Sequence, residues 1–293
     1  MITKHFHEVY EDVNRVSGGR LDILKNAITT FSETRAGQAA AALAYYAIFS
    51  LFPLMLVLIV AGSYFLDSQQ VYQNVTNLVQ ETFPVSPDLI NDNLREVLDA
   101  RGTVGLIGIV TLLWAASGVF TNLAYHINLA WRGASRRSFF RIRLVGMGMI
   151  GGLTILILLS MLVGWIVSLV PLFIAEAASS PILFLWKSLS KLGSWLGIFL
   201  LYAALYHWVP TVRVEGMATI WAALFASIGW KVAAACFNWY LHSGLENYQL
   251  VYGSVGAIVA LLFLIFLIST ITLFGAHLCA AIDHWIKERK HSP

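Results

Sequence analysis

Six long stretches of this chain carry no Asp, Glu, Lys or Arg, and they limit its fold more than any other feature. The charge-free stretches are residues 36–66, 102–131, 144–175, 192–212, 216–245 with Lys231 as an interruption, and 247–282. A helix that crosses a membrane needs about 20 apolar residues, because the hydrocarbon core of a bilayer is about 30 Å thick. The stretches show no strand-type alternation and are too long for the strands of a membrane barrel. They predict an all-α, polytopic integral membrane protein with six transmembrane helices.

The composition excludes the other broad classes. Charged residues make up 12% of the chain and hydrophobic residues 58%, whereas a globular domain carries about twice that charged share. A disordered chain has the opposite balance, with low hydrophobicity and high charge. The expected organisation is an amphipathic N-terminal segment (1–38), a membrane domain (39–285) with an outer loop at 67–102, and a tail (286–293). The spans are expected at about 39–66, 104–125, 144–171, 192–210, 217–241 and 253–279.

The basic residues predict the orientation of these spans. Of the 19 Lys and Arg residues, 14 lie in the N-terminal segment, the second loop, the fourth loop and the C-terminal tail. Only 4 lie in the loops on the alternate side, and Lys231 falls within a span. Since basic residues are retained on the cytoplasmic side, both termini are expected in the cytoplasm.

The N-terminal segment has the pattern of an amphipathic helix. Leu21, Leu24, Ile28 and Phe31 fall on one helical face. Such a helix with basic residues can lie in the plane of the lipid headgroups, or it can pack beneath the bundle. Both interpretations stay open from the sequence.

Lys231 is the most informative single residue. It lies about 15 Å below the outer end of the fifth span, where a cation indicates a cavity, a partner or a functional site. The alternative is a lysine that extends its ammonium group to an interface. The polar side chains that we expect to accompany Lys231 in a substrate pathway are Tyr45, Tyr46, Asn122, Asn238 and Ser254.

Two further residues are candidates for function. Pro53 lies inside the first span and should bend or break it, and broken helices line cavities in transporters. A simple kink is the alternative. His277, near the inner end of the sixth span, is a candidate proton relay, although a histidine there can also form only structural hydrogen bonds.

Small and aromatic residues are expected to shape the bundle. Gly148 with Gly152, and Gly193 with Gly197, have the spacing that lets helices approach closely, either within the chain or in a homo-oligomer. Tryptophans near the predicted interfaces fit an aromatic belt. They are Trp131, Trp208, Trp221, Trp239 and Trp285. Cys236 and Cys279, in the last two spans, are expected to be unpaired, small packing residues.

Several segments together resemble the YihY/virulence factor BrkB family, formerly labelled the ribonuclease BN family. They are Ala40–Pro53, Leu113–Gly118, Asn128, Trp131, Arg136–Arg143, Val209–Arg213, Phe237, Tyr240, Tyr252–Gly256 and Leu273–Ala276. The resemblance implies a six-helix protein of the bacterial inner membrane. Lys231 and His277 stand where the family often has acids, so a mechanism that relies on those acids is in doubt here.

A transporter, an exporter or a lipid-handling permease is the function we expect, with a small molecule or a lipid as substrate and membrane lipids as partners. No Walker motif occurs, so transport would not be driven by ATP. The alternative is a non-transporting scaffold that organises the envelope. Ribonuclease activity is not expected, because hydrolysis needs a metal cluster or an acid–base pair beside a basic groove. Accordingly we expect no enzyme activity, no cofactor, no metal and no nucleic-acid partner.

Overall fold

The computed structural model describes residues 20–63, 106–135, 137–152, 195–242 and 247–291. These residues form helices and connecting turns, and no strand occurs among them, which confirms the all-α class. The described helices are α1 (Arg20–Glu33), α2 (Ala36–Ser63), α3 (Leu106–Asn128), α4 (139–152), α5 (Trp195–Trp208), α6 (Gly216–His242) and α7 (Asn247–His291). The predicted outer loop 67–102, residues 1–19 and most of the predicted third span lie outside these ranges.

Two of the described helices contain segments long and apolar enough to cross a membrane, Gly216–Trp239 in α6 and Ile258–Lys290 in α7. The apolar helix α5 is shorter. At 1.5 Å per residue the 45 residues of α7 extend about 67 Å. This length exceeds the hydrocarbon core of a bilayer, so α7 continues well beyond the predicted end of the sixth span at residue 279.

Helix α7 is the central element of the described bundle. It packs against α6, α2 and α1, and α2 packs in turn against α3. The core between these helices contains many alanines, and Ala40, Ala124, Ala222, Ala226 and Ala276 are fully buried. Since lipid removes the hydrophobic drive between helices, such small side chains stabilise the bundle by letting backbones approach.

The glycines that allow the closest helix contacts are different from those singled out by the sequence. A Cβ atom at Gly229 would lie 2.9 Å from Ile271 Cγ2, one at Gly146 would lie 2.6 Å from Thr121 Oγ1, and one at Gly275 would collide with the Tyr206 hydroxyl. At Gly148 and Gly152 no atom of the described residues lies within 4 Å of that position. The expected close packing at these two residues is therefore absent within the described part of the chain, and Gly193 lies outside it.

Helix α2 runs without interruption from Ala36 to Ser63, through Pro53. Of the two outcomes considered for Pro53, the uninterrupted helix agrees with a kink and not with a break. Proline removes one backbone hydrogen bond, and a membrane helix tolerates that loss when its surroundings satisfy the freed carbonyl.

The turn between α1 and α2 reverses the chain at Thr34 and Arg35. Arg35 has a φ of 53°, in the left-handed region, and its carbonyl accepts the backbone N–H of Gln38 and of Ala39 at the start of α2. This turn folds α1 back onto α7. Ala27 of α1 is fully buried, while Leu24 and Ile28 are about half exposed. One face of α1 thus packs against the bundle and a second apolar face stays free for the membrane surface, so the two interpretations of the N-terminal segment are compatible.

Candidate functional site

Lys231 lies on the exposed side of α6. Among the described residues no hydrogen bond or ion pair is formed by its ammonium group. Helix α6 packs mainly against α7, whereas Tyr45 and Tyr46 belong to α2, which packs against α3 and α7. The structure therefore does not bring Lys231 together with these two tyrosines.

The other predicted pathway residues are dispersed as well. Tyr45 and Tyr46 are about half exposed and their rings contact each other, with centroids 5.8 Å apart. The Asn122 amide donates to the Gly118 carbonyl of its own helix at 3.0 Å, and Asn238 is exposed on α6. The side chains of Pro53 and Ser254 lie outside the described residues. No common polar cavity is formed by the predicted set within the described chain.

An open apolar groove of about 450 Å³ lies between α6 and α7 instead. Its lining residues are Phe225, Ile228, Gly229, Val232, Ala233, Cys236, Leu267 and Ile271. Gly229 and Ala233 are the small lining residues on the α6 side. Because a Cβ atom at Gly229 would lie 2.9 Å from Ile271 Cγ2, Gly229 lets α6 approach α7 closely at the groove. Cys236 is exposed in it, whereas Cys279 is buried, so only one of the two cysteines has the expected packing role. Lys231 is not one of the lining residues. Since successive residues of a helix turn by about 100°, its side chain leaves α6 on a different face from Val232 and Cys236.

His277 joins α7 to α1. The side chain is buried, and its Nδ1 and Nε2 atoms lie 3.2 Å from the hydroxyls of Thr30 and Thr34 respectively. The Phe31 ring packs edge-on against the imidazole, with centroids 5.6 Å apart. Both ring nitrogens thus form hydrogen bonds with α1, and these bonds hold α1 against α7.

The Thr30 and Thr34 hydroxyls that contact His277 also donate hydrogen bonds to backbone carbonyls of α1. Thr30 Oγ1 donates to the Asn26 carbonyl at 2.7 Å, and Thr34 Oγ1 donates to the Thr30 carbonyl at 2.9 Å. A neutral imidazole donates through one nitrogen and accepts through the other. One of the two threonines must therefore turn its proton towards the ring, at the expense of its bond to the helix backbone.

Asp283 is the centre of a polar cluster at the other side of α7. Its buried carboxylate accepts the Trp131 indole N–H at 3.3 Å, the Glu215 backbone N–H at 2.9 Å and the Lys287 ammonium at 2.7 Å. Lys287 also donates to the Arg213 carbonyl at 2.7 Å. The carboxylate thereby fixes the end of α3 and the start of α6 on α7. Trp131 is buried by these contacts and is not a belt residue, so that expectation for Trp131 is wrong.

A second set of contacts joins the loops that precede α4 and α6. Asn128 Oδ1 accepts the backbone N–H and the hydroxyl of Thr211, at 2.9 and 3.0 Å, and its amide donates to the Ser135 carbonyl at 3.2 Å. Arg137 donates to the Val209 carbonyl at 2.7 Å. Partial burial and the neighbouring Arg141 guanidinium lower the pKa of Arg137, but an arginine stays charged at any physiological pH.

Ion pairs complete the connection between these segments. Arg132 pairs with Glu33 at 2.8 Å, and Lys290 pairs with Glu215 at 2.9 Å. The N-terminal segment, the second loop, the fourth loop and the tail therefore meet at one end of the bundle. These are the four segments that the basic residues assign to the cytoplasmic side.

The polar cluster gives roles to residues that were noted only for their resemblance or not singled out at all. Asn128, Trp131 and Val209–Arg213 are part of the resemblance, and here they connect loops. Asp283, by contrast, was not singled out from the sequence, because a charged residue after an apolar run is common at any solvated helix end. A signal existed in its spacing, because Lys287 lies one turn further along the same helix. In the described chain no group of three or more His, Cys, Asp and Glu residues has the arrangement of a metal site.

Comparisons with known proteins identify the family of this chain. The model of the family described as virulence factor BrkB matches residues 27–293. The ribonuclease-like protein YfkH of Bacillus subtilis (strain 168) is 26% identical over 273 residues, which cover 89% of this chain and 95% of YfkH. A UPF0761 membrane protein of Vibrio vulnificus (strain YJ016) is 27% identical over 270 residues, which cover 88% of this chain and 82% of the relative.

A further UPF0761 membrane protein, from Haemophilus influenzae (strain 86-028NP), is 23% identical over 257 residues, which cover 86% of this chain and 92% of the relative. No solved structure matches the chain. The predicted family and the predicted membrane localisation are confirmed by these matches and by the apolar helices. The chain belongs to the virulence factor BrkB family of bacterial membrane proteins.

Proposed function

We propose that this protein is a lipid-handling permease of the inner membrane, with six spans and both termini in the cytoplasm. The observation that carries the proposal is the open groove between α6 and α7, which is lined by apolar side chains only. An acyl chain is the ligand that matches such a lining, because it buries apolar surface without requiring a hydrogen-bonding partner. A water-soluble substrate would need convergent polar groups.

Lys231 is proposed to contact the headgroup of this lipid. Its side chain is exposed on α6, one residue before Val232 of the groove, and an ammonium group binds phosphate as a compact point charge. The remaining pathway residues proposed from the sequence are Tyr45, Tyr46, Pro53, Asn122, Asn238 and Ser254. His277 stays the proposed proton relay. Movement of lipid would be passive or coupled to a gradient, since the chain has no Walker motif.

Transbilayer movement of a fluorescent phospholipid in proteoliposomes tests the proposal. Cys236→Trp fills the exposed edge of the groove, and we expect it to slow lipid movement at least tenfold. Ala235→Trp is the matched control, because Ala235 is exposed on the same helix but does not line the groove. Equal rates for the two variants would contradict a path through the groove.

Lys231→Met tests the headgroup contact in the same vesicles. The substitution removes the charge and keeps most of the side-chain volume, so the protein should still insert. We expect movement of anionic phospholipid to be abolished. Unchanged movement in this variant would remove Lys231 from the mechanism.

A non-transporting scaffold is the second candidate. It is favoured by the polar contacts that fix four chain segments at one end of the bundle. It is also favoured by the groove, whose lining is apolar and does not include Lys231. A scaffold predicts that wild-type protein moves no lipid above the rate of empty vesicles.

A further inference from the structure

A cluster of aromatic and basic side chains lies where α4 crosses α3. It consists of Trp114 of α3 with Phe139, Phe140, Arg143 and Leu144 of α4, and we call it the arginine notch. The Arg143 guanidinium carbon lies 4.4 Å from the centre of the Trp114 ring. The Phe139 ring packs against the same indole, with centroids 6.1 Å apart. None of these residues lines the groove between α6 and α7.

The guanidinium of Arg143 is fixed in position, but not all of its N–H donors have acceptors among the described residues. Its Nη2 donates to the Trp114 carbonyl, and the ring stacking fixes its plane. Its Nε is buried and has no acceptor among the residues that the structure describes. An arginine offers five N–H donors in a planar fork that matches phosphate. The buried Nε is closed to a ligand, so the donors that the notch offers to a phosphate are the remaining N–H groups of Nη1 and Nη2.

The rim of the notch is apolar and exposed. Phe139, Phe140 and Leu144 are 63%, 72% and 67% exposed. A cluster of large exposed apolar side chains marks an interaction surface, and in a membrane protein lipid is the environment that covers it. Arg141, between Phe140 and Arg143 in the sequence, is exposed as well and adds a second positive charge.

The two sides of the notch differ in position along the predicted spans. Phe139, Phe140, Arg143 and Leu144 lie in the first two turns of α4, whereas Trp114 lies midway along the second span, so a lipid of the adjoining leaflet has to draw its phosphate inward to reach Arg143. Helix α4 begins two residues after Arg137, which is bound to the Val209 carbonyl within the loops that meet at one end of the bundle. The basic residues predict that this end is cytoplasmic. Arginine beside exposed aromatic rings is the combination found at the level of lipid headgroups.

We infer that the arginine notch binds an anionic phospholipid of the inner leaflet, with its phosphate on Arg143 and its acyl chains against Phe139, Phe140 and Leu144. A free anion would use the guanidinium and leave the apolar rim uncovered, whereas a neutral lipid would leave the charge unmatched. Only a ligand with both parts fits the whole surface. The site is independent of the proposed lipid movement, so it can exist whether or not the protein transports.

Retention of lipid by the purified full-length protein tests the inference. The protein is extracted from vesicles of equal parts phosphatidylglycerol and phosphatidylcholine, and bound lipids are counted by native mass spectrometry. Wild-type protein should prefer phosphatidylglycerol, and Arg143→Gln should lower that preference about fivefold, the effect expected of one basic residue near an anionic surface. Arg143→Lys, which keeps the charge but loses the fork, should fall between them.

Arg289 supplies the matched control. Its guanidinium carbon lies 4.0 Å from the centre of the Trp285 ring, in a similar stacked geometry but in the predicted cytoplasmic tail. Arg289→Gln should leave the preference unchanged. An equal loss in both variants would overturn the inference, because it would reflect net charge alone.

A second variant and a displacement experiment test the same inference independently. Phe140→Ser keeps Arg143 and should lower retention of both lipids, so the site is tested even if Arg143→Gln folds poorly. Added inorganic phosphate at constant ionic strength should not displace phosphatidylglycerol, because it cannot replace the acyl contacts. Displacement by phosphate, or an unchanged preference in folded Arg143→Gln protein, would overturn the inference.

Discussion

At the residue scale, Asp283 is one of the few charged residues of the chain, and its carboxylate holds separate segments together. Its carboxylate is buried, yet each of its contacts comes from a different part of the chain, namely Trp131, Glu215 and Lys287. A buried charge is tolerated only when it is paired and hydrogen-bonded. Asp283 meets both conditions, and its contacts give it a structural role.

Asp283→Ala should lower the free energy of unfolding by about 3 kcal/mol, because it leaves the buried indole N–H and a backbone N–H without an acceptor. The measurement is denaturant unfolding of the purified protein in detergent micelles. Glu288→Ala is the control on the same helix, since within the described ranges Glu288 forms only an exposed pair with His284, and such pairs contribute about 0–1 kcal/mol. Similar losses for both variants would contradict the role of Asp283.

Some candidate residues could be identified from the sequence, but their contacts could not be predicted from it. Lys231 was identifiable because a lone cation within an apolar run needs no partner to be noticed. His277 was noted as a candidate relay, but its contacts with Thr30 and Thr34 depend on how α1 folds back at Arg35. Those residues are more than 240 positions away, so no local pattern could predict the pairing.

At the element scale, close helix packing depends on which glycines face a neighbour. The spacing of Gly148 and Gly152 is that of a packing motif, but no described neighbour approaches them. Gly275 has no such spacing, yet it accommodates the Tyr206 ring, whose hydroxyl donates to the Thr272 carbonyl at 2.9 Å. Spacing alone cannot distinguish the two cases, because it does not tell which face of a helix meets another.

Gly275→Ala should destabilise the protein by about 1–3 kcal/mol, since the added methyl group overpacks the contact with buried Tyr206. Gly148→Ala, in an open position, should be neutral or stabilise the helix by up to about 1 kcal/mol. Thermal unfolding of both variants in the same detergent makes the comparison. Equal destabilisation by the two substitutions would show that Gly275 is not a close contact.

At the scale of the whole molecule, the all-α class and the end at which the loops gather were predictable from charge alone. The basic residues assign four segments to one side, and contacts such as Arg132 with Glu33 and Lys290 with Glu215 bring those segments together. The groove was not predictable, because apolar side chains on a span look alike in sequence whether they face lipid, a neighbouring helix or a gap.

The proposed orientation can be tested with fusions at the C terminus. Green fluorescent protein fused there should fluoresce, because the fusion point is expected in the cytoplasm, and alkaline phosphatase fused at the same position should be inactive. Fusions within the predicted outer loop 67–102 should behave in the opposite way. Active phosphatase at the C terminus would contradict the six-span topology.

The most direct test of lipid handling is to map the residues that an acyl chain contacts. A phospholipid with a photoreactive group in its acyl chain is crosslinked to the reconstituted protein, and the adducts are mapped by mass spectrometry. We predict adducts concentrated on the groove residues, such as Val232, Cys236 and Leu267, and lost in Cys236→Trp but not in Ala235→Trp. Adducts no more frequent there than on other exposed apolar residues of α7, such as Val259 and Phe263, would contradict a lipid site in the groove.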